Sequence, residues 1–329
     1  MFYFHQIEIF VAKLLFFFEN KNICCTFACI IMELSVIIPC YNKAEYIKAC
    51  LSSILTQDFN SFEVVMINDG STDETGDICN KIAATDSRVK VFHRPNGGVT
   101  AARRYGIEQS QGKYIMFVDC DDQLLPNAMK TLYDTIQETK ADEVIGTYMT
   151  QKGKIMDSGL RGWQDTDYLI RDLLALHNSF CVLWAIIFRR KLLDNCLMMS
   201  RDIVSGEDIL MQIKCLMKKP KVFFIGHQVY LYNVGLPNER NTQLNNVKAF
   251  DEELEKTLKP RWEEFEKGFL HHCIKTYENY VYRHRQEITD YYKPLRGKDL
   301  RGIPIQDRIA FLLPPQIAYY LIKLRKALL

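Results

Sequence analysis

Tyr114-Ile115-Met116-Phe117-Val118-Asp119-Cys120-Asp121-Asp122 is an apolar run that empties into three carboxylates. Tyr114–Val118 has the length and character of a buried β-strand. Side chains two apart on a strand share a side, so Asp119 and Asp121 aim into one site as the strand ends, with Asp122 following in the turn. Carboxylates crowded there repel one another and are costly unless something positive sits among them. Mn²⁺ or Mg²⁺ is the natural partner: such ions take oxygen ligands, keep waters and bridge to substrate phosphates. The alternative is a solvated acidic loop that caps the helix after Leu124. An aspartyl-phosphate nucleophile also sits on an Asp-x-Asp strand end. Gln123 and the strand's fourth place in the order argue against that chemistry.

Working outward, Leu34–Pro39 and Phe62–Ile67 read as further buried strands and Val89–His93 as a third. Helices are expected over Lys43–Leu55, Thr72–Ala84 and Val99–Gln109 between them. This β-α-β-α-β-α-β order implies an α/β fold, a mostly parallel central sheet with helices on both faces. Ligands of such sheets bind outside the carboxyl ends of the strands. Tyr41-Asn42, Asp69-Gly70-Ser71 and Asp119 through Asp122 all fall at those ends. Farther on, the sequence predicts a helix over Ala128–Lys140, a strand over Glu143–Met149 and a helix over Asp165–Leu176. An apolar strand-like run follows at Val182–Phe188, then a helix over Ile209–Met217, short strands at Val222–Ile225 and Val229–Tyr232, and helical sequence over Val247–Tyr292.

The chain has 329 residues, 48% of them hydrophobic and 25% charged, with a formal net charge of +2. That is enough apolar sequence for a full core, and too little positive charge for nucleic acid to be a partner. Eleven scattered cysteines form no zinc spacing and read as reduced thiols of a cytoplasmic protein, acting as small buried hydrophobes. Residues 1–31 are an apolar extension in two runs, each shorter than the ~20 residues of a bilayer span. They are either an over-extended start, with Met32 the true one, or a membrane-surface anchor. The segment Ile303–Leu329 is apolar, broken by Pro314-Pro315, and basic at Lys323, Arg325 and Lys326. It fits an amphipathic helix in a membrane interface, or a terminal helix docked on the rest of the protein.

Together these motifs resemble the family 2 glycosyltransferases of the GT-A fold, over about Leu34 to Tyr232. The resemblance rests on Pro39-Cys40-Tyr41-Asn42, Asp69-Gly70-Ser71-Thr72-Asp73, Gly97-Gly98 leading to Ala102-Arg103, and Asp119-Cys120-Asp121-Asp122, in that order. Arg104 departs from the pattern, which often has Asn there. The resemblance implies a GT-A domain over 32–235 and a helical C-terminal region over 236–329. It implies a nucleotide-sugar donor, with uracil the usual base. Tyr41 would stack on the base and Pro39 would contact it through its backbone, beside Asn42. Asp69 would accept a hydrogen bond from the base, with Glu45 nearby, and Arg103 would hold the nucleotide. Asp119 and Asp121 would bind the sugar or ribose and a divalent metal on the diphosphate.

Inverting transfer also needs a base to take the acceptor proton, on a segment away from the metal. Ser205-Gly206-Glu207-Asp208 resembles the family's Glu-Asp motif, which makes Asp208 the base and Glu207 an acceptor contact. An acidic pair that merely favours a helix start is the plainer reading. Trp184 is placed where an acceptor ring would stack, or else in the core. The reading is metal-dependent transfer of one sugar to a glycan or lipid-linked acceptor in bacterial cell-surface polysaccharide synthesis, on the inner face of the membrane with peripheral contact through the tail. A non-catalytic nucleotide-sugar or glycan-binding protein that keeps the fold is the alternative.

Overall fold

The computed structural model describes residues 32–176, 180, 182–234 and 242–328. The apolar extension 1–31 and the expected boundary at 235/236 lie outside the described residues. The first unit is β1 (Leu34–Cys40), α1 (Ile47–Leu55), β2 (Phe62–Asp69), α2 (Thr75–Ala83), β3 (Val89–Arg94), α3 (Val99–Gln109) and β4 (Tyr114–Phe117). β5 (Gln123–Leu124), α4 (Ala128–Thr139), β6 (Glu143–Thr150), β7 (Ile155–Met156), β8 (Gly162–Gln164), α5 (Thr166–Leu174) and β9 (Ile186–Arg189) follow. The last part is α6 (Glu207–Leu216), β10 (Val222–Tyr232), α7 (Leu244–Leu258), α8 (Trp262–Tyr282), α9 (Gln286–Tyr292), α10 (Ile305–Leu312) and α11 (Pro315–Leu328).

The main sheet runs β3-β2-β1-β4-β9-β6-β10-β5. β3, β2, β1 and β4 are parallel neighbours, and β10 is parallel to β6. β9 runs antiparallel to both β4 and β6. The order reverses at β1, so a crevice opens between the carboxyl ends of β1 and β4, where such sheets bind ligands. β4 pairs with β1 only as far as Ile37. Pro39, which lacks an N–H, sits past that point, where β1 has only β2 beside it. The strands therefore separate as they reach the site.

Alternation within β1 sends Val36 and Ile38 to one face and Ile37 to the other. The first face is covered by α1 and α4 through Leu51, Ile54, Leu132 and Ile136. The second is covered by α5, α6 and the C-terminal helices, in a core that runs without a break from Ile37 through Leu210 to Phe311 and Ile322. α3 lies so close to β1 that a Cβ on Gly106 would stand 2.4 Å from Ile37 Cγ2. Among the described residues, Cys40, Cys50, Cys79, Cys120, Cys196, Cys215 and Cys273 are free thiols and all are buried.

The structure differs from the sequence reading at four places that bear on the site. α1 starts at Ile47, not Lys43, because the amides of Asn42, Lys43 and Ala44 donate to the side chains of Ser71, Thr75 and Asp73 instead of entering a helix. β9 starts at Ile186, because Ala185 is held in a left-handed conformation with φ +62°. α6 starts at Glu207, which puts Glu207 and Asp208 in its first turn, where carboxylates suit the helix dipole. The two short strands expected over 222–232 are one, β10, with register shifts against β6 between Phe224 and Tyr230. No helix among the described residues is long and apolar enough to cross a membrane.

Candidate active site

Each side of the crevice is built by its own loop. On the β1–β2 side, Asn42 has φ +50° and its side-chain oxygen accepts from Thr72 N–H at 2.8 Å. That bond and the three amide bonds above knit the end of β1 to the Asp69–Asp73 turn. The result is a fixed ledge on which Tyr41 stands 48% exposed, its ring available for stacking. Glu45 is also exposed on this ledge and has no partner among the described residues. Asp69 is buried at the end of β2. Its carboxylate accepts from Gly97 N–H at 3.0 Å and Gly98 N–H at 2.8 Å and pairs with Arg94. It thus fixes the turn from which α3 starts.

α3 carries Arg103, the centre of the site. Its guanidinium donates to Asp119 at 2.9 Å and to Asp208 at 2.8 Å while only 2% of the residue is exposed. Burial opposes its charge, but the carboxylates of Asp119, Asp208 and Glu207 outweigh that and hold it protonated well above its ordinary range. The sequence reading gave Arg103 to the nucleotide. In the structure, two of its N–H groups are instead committed to the strand-end acid and the α6 acid. Glu207 is buried beside them and lines a cavity with Gly98 and Arg104. Arg104 itself points outward and pairs with Glu108.

The acidic strand end handles its own repulsion residue by residue. Asp119 meets Arg103. Asp121 pairs with Lys43 Nζ at 2.8 Å, across the mouth of the crevice. Asp122 turns inward, accepting from Tyr230 Oη at 2.8 Å and from Asn233 N–H at 2.7 Å. Burial, with Asp119 and Asp121 nearby, pushes its carboxyl up to about 8. The balancing charges anticipated among these carboxylates are therefore present in part as Arg103 and Lys43. Among the described residues no three His, Cys, Asp or Glu side chains converge as a ready metal cage. Mg²⁺ and Mn²⁺ sites on nucleotides need less, one or two carboxylates completed by phosphate and water. Asp119 and Asp121, with partly exposed side chains, meet that requirement. A cavity of about 370 Å³ opens beside Asp121, lined also by Gln123, Gln151 and Asn233.

Tyr230 links the acids to the aromatic floor. Its hydroxyl also accepts from Asp119 N–H at 3.1 Å, and Trp184 stacks on its ring at 4.7 Å and 12°. Trp184 also stacks on Tyr232 and meets Tyr148 edge-on. With 6% of its surface exposed, Trp184 is part of that floor and offers no open face to a sugar. Because β9 is antiparallel, its beginning lies at the same sheet edge as the ends of β4 and β10, which brings Trp184 here. Lys43 is the contributor that the sequence reading did not single out. A lysine two residues past Tyr41, at a strand end facing an acidic strand end, was the available signal.

Beside Ser205 and Gly206 lies a second cavity, of about 200 Å³, lined by Phe250, Asp251, His272 and Asn279 among others. One oxygen of Asp251 and Nδ1 of His272 have no hydrogen-bond partner among the described residues.

Residues 35–197 match the family described as Glycosyl transferase family 2. The chain belongs to this family. It is 31% identical over 215 residues to the glycosyltransferase GlyA of Streptococcus pneumoniae, a match covering 61% of this chain and 30% of that protein. This chain thus spans under a third of that relative's length. Among solved structures it is similar to S. aureus TarS in complex with UDP-GlcNAc, with a TM-score of 0.58 and 20% identity over 89% of each chain. It is also similar to the mannosyltransferase PcManGT of Pyrobaculum calidifontis in complex with GDP-Man and Mn²⁺, with a TM-score of 0.52 and 14% identity over 88% of this chain and 84% of that one. Those likenesses show the GT-A fold that the motifs implied.

Proposed function

We propose that this glycosyltransferase-family chain is an inverting enzyme that moves one sugar from a nucleoside diphosphate, UDP by preference, to a glycan or lipid-linked acceptor in cell-surface polysaccharide synthesis. The observation that carries it is Arg103, buried and bound at once to Asp119 at the donor crevice and to Asp208. In this reading the nucleobase stacks on Tyr41 above Pro39 and Asn42, with Glu45 and the remaining acceptor capacity of Asp69 at its edge. Asp119 and Asp121 would hold Mn²⁺ or Mg²⁺, which would supply charge stabilisation for the leaving diphosphate. Lys43, paired with Asp121, adds a positive charge for the same phosphates. Asp208 takes the proton of the acceptor hydroxyl as that oxygen bonds to the anomeric carbon and the bond from that carbon to the diphosphate oxygen breaks. Glu207 supports Asp208 from the first turn of α6, and Trp184 is the floor beneath the acids. The acceptor approaches from the side of the Ser205–Gly206 cavity, whose unpaired polar atoms suit a hydroxylated ring. The enzyme works on the cytoplasmic face of the membrane.

The experiment is nucleotide release from UDP-, GDP- and dTDP-sugars with Mn²⁺, with and without a polysaccharide precursor, beside calorimetry of UDP binding. Release that depends on donor, metal and acceptor is expected. Absence of both release and binding removes the reading, and binding without any turnover favours the non-catalytic alternative.

A further inference from the structure

The C-terminal helices keep one face for the protein and one for something else. α11 docks through Ala318 and Ile322, both fully buried, and α10 through Ala310 and Phe311. Arg325 turns inward to Asp307 at 2.7 Å and to Glu278, so it is a structural cation. Among the described residues nothing covers the opposite stripes. Ile305, Ile309 and Leu312 recur at helical spacing on α10, and Ile317, Tyr320 and Leu324 on α11, all exposed, with Tyr320 at 70%. Isolated exposed apolar residues are ordinary, but two successive helices each carrying such a stripe mark an interaction surface.

The charges say what covers it. Of the 42 lysines and arginines and 40 acids in the chain, ten and four fall in residues 283–329, leaving 32 and 36 before them. All four acids of the segment are already paired: Glu287 with Arg285, Asp290 with Lys293, Asp299 with Arg301, Asp307 with Arg325. Arg283, Lys298, Lys323 and Lys326 have no carboxylate partner among the described residues. A second copy of this face would bring the same surplus of cations against it. An anionic lipid surface complements both the apolar stripes and the lysines that have no carboxylate partner, whose stems can lie along acyl chains while the ammonium groups reach phosphate. Neither helix can cross: the 14 residues of α11 are about 21 Å long, against the ~30 Å of a hydrocarbon core.

We infer that α10 and α11 together form a docking face for an anionic phospholipid membrane, apolar stripes down and lysines at the headgroups. The inference goes beyond the transferase reading, and its test involves no turnover. The full chain is sedimented with vesicles of phosphatidylcholine, with or without about a third phosphatidylglycerol, at low salt and at ~0.5 M salt. Wild type should pellet with the anionic vesicles at low salt, at least about tenfold more than with neutral ones, and be released by salt. Ile309→Glu with Tyr320→Glu, and separately Lys323→Glu with Lys326→Glu, should each reduce pelleting about tenfold or more, with the circular dichroism spectrum unchanged. All four side chains are exposed, so neither pair disturbs the core. Wild type that stays in the supernatant, or variants that pellet like wild type, overturn the inference. So does a wild-type dimer in sedimentation velocity that Ile309→Glu with Tyr320→Glu turns to monomer with no vesicle binding by either, which assigns the face to a second copy.

Discussion

Arg103 donates to Asp208 at 2.8 Å across 105 residues of sequence. That bond connects α3 to the start of α6, and since the same guanidinium also holds Asp119, it sets the α6 acid relative to the acidic end of β4. Arg103→Lys should keep the charge but lose the fork, since one ammonium cannot hold both acids in this geometry. Turnover should fall by about 10²-fold with a small change in melting temperature. Arg103→Met should also destabilise, by about 1–3 kcal/mol, less than a fully buried pair would cost because water reaches both acids. A fully active Arg103→Lys enzyme would show that the bridge is dispensable.

The proposed mechanism puts donor grip and proton removal on different residues, so they should separate by mutation. Asp208→Asn keeps the size and one oxygen acceptor for Arg103. It should leave UDP affinity in Mn²⁺ within about twofold and lower turnover by about 10²–10⁴. Asp121→Ala should do the reverse to binding and abolish the metal-dependent part of UDP affinity. Calorimetry with and without Mn²⁺, beside nucleotide release, distinguishes them. Normal turnover by Asp208→Asn would move the base elsewhere.

A pH effect should arise away from the site. Glu143 in β6 is wholly buried and accepts from Gln212 at 2.9 Å. Burial pushes its carboxyl up to about 7, although Gln212 pulls the other way. The folded state therefore holds this proton over a range where the unfolded state has released it. Stability from this group is complete below about pH 4.5 and is lost as pH rises through about 7. Glu143→Gln removes the titration. Relative to wild type it should gain up to about 3 kcal/mol between pH 4 and pH 8, with most of the gain above pH 5. Urea denaturation of both proteins at the two pH values measures this. Parallel stabilities would mean that Glu143 titrates normally.

How much of this was legible in sequence follows from how local each cause is. The first four strands and the helix of Arg103 were readable because apolar runs ending in Asn-Asp-Gly or Asp-x-Asp record burial and turn chemistry within a few residues. The later start of α1 was not, because the groups that take its first amides, on Ser71, Asp73 and Thr75, lie about 30 residues away. Trp184 and Tyr230 meet only because an antiparallel β9 returns to the same sheet edge, and single-sequence patterning says nothing of strand direction. The acids show the same limit from the other side. Their repulsion was visible in Asp119–Asp122, whereas Arg103 and Lys43, which offset it, arrive from a helix and a loop elsewhere in the chain.

Gly206 gives the sharpest separation of position from chemistry. It precedes α6 with φ +82°, and a Cβ there would stand 2.7 Å from the Phe250 ring. Gly206→Ala meets both obstacles, the left-handed backbone and the ring, and should shift the first turn that presents Glu207 and Asp208. A displacement of ~1 Å at a base is worth about 10²-fold in rate. Turnover should therefore drop by that order while UDP affinity holds, since Tyr41, Asp119 and Asp121 are on other loops. Adding Phe250→Leu relieves the ring contact but not the backbone strain, so recovery should be partial. Full recovery in the double variant would assign the whole effect to the ring. No loss in Gly206→Ala would mean that the start of α6 tolerates movement, and would count against Asp208 as a base held in place by Arg103.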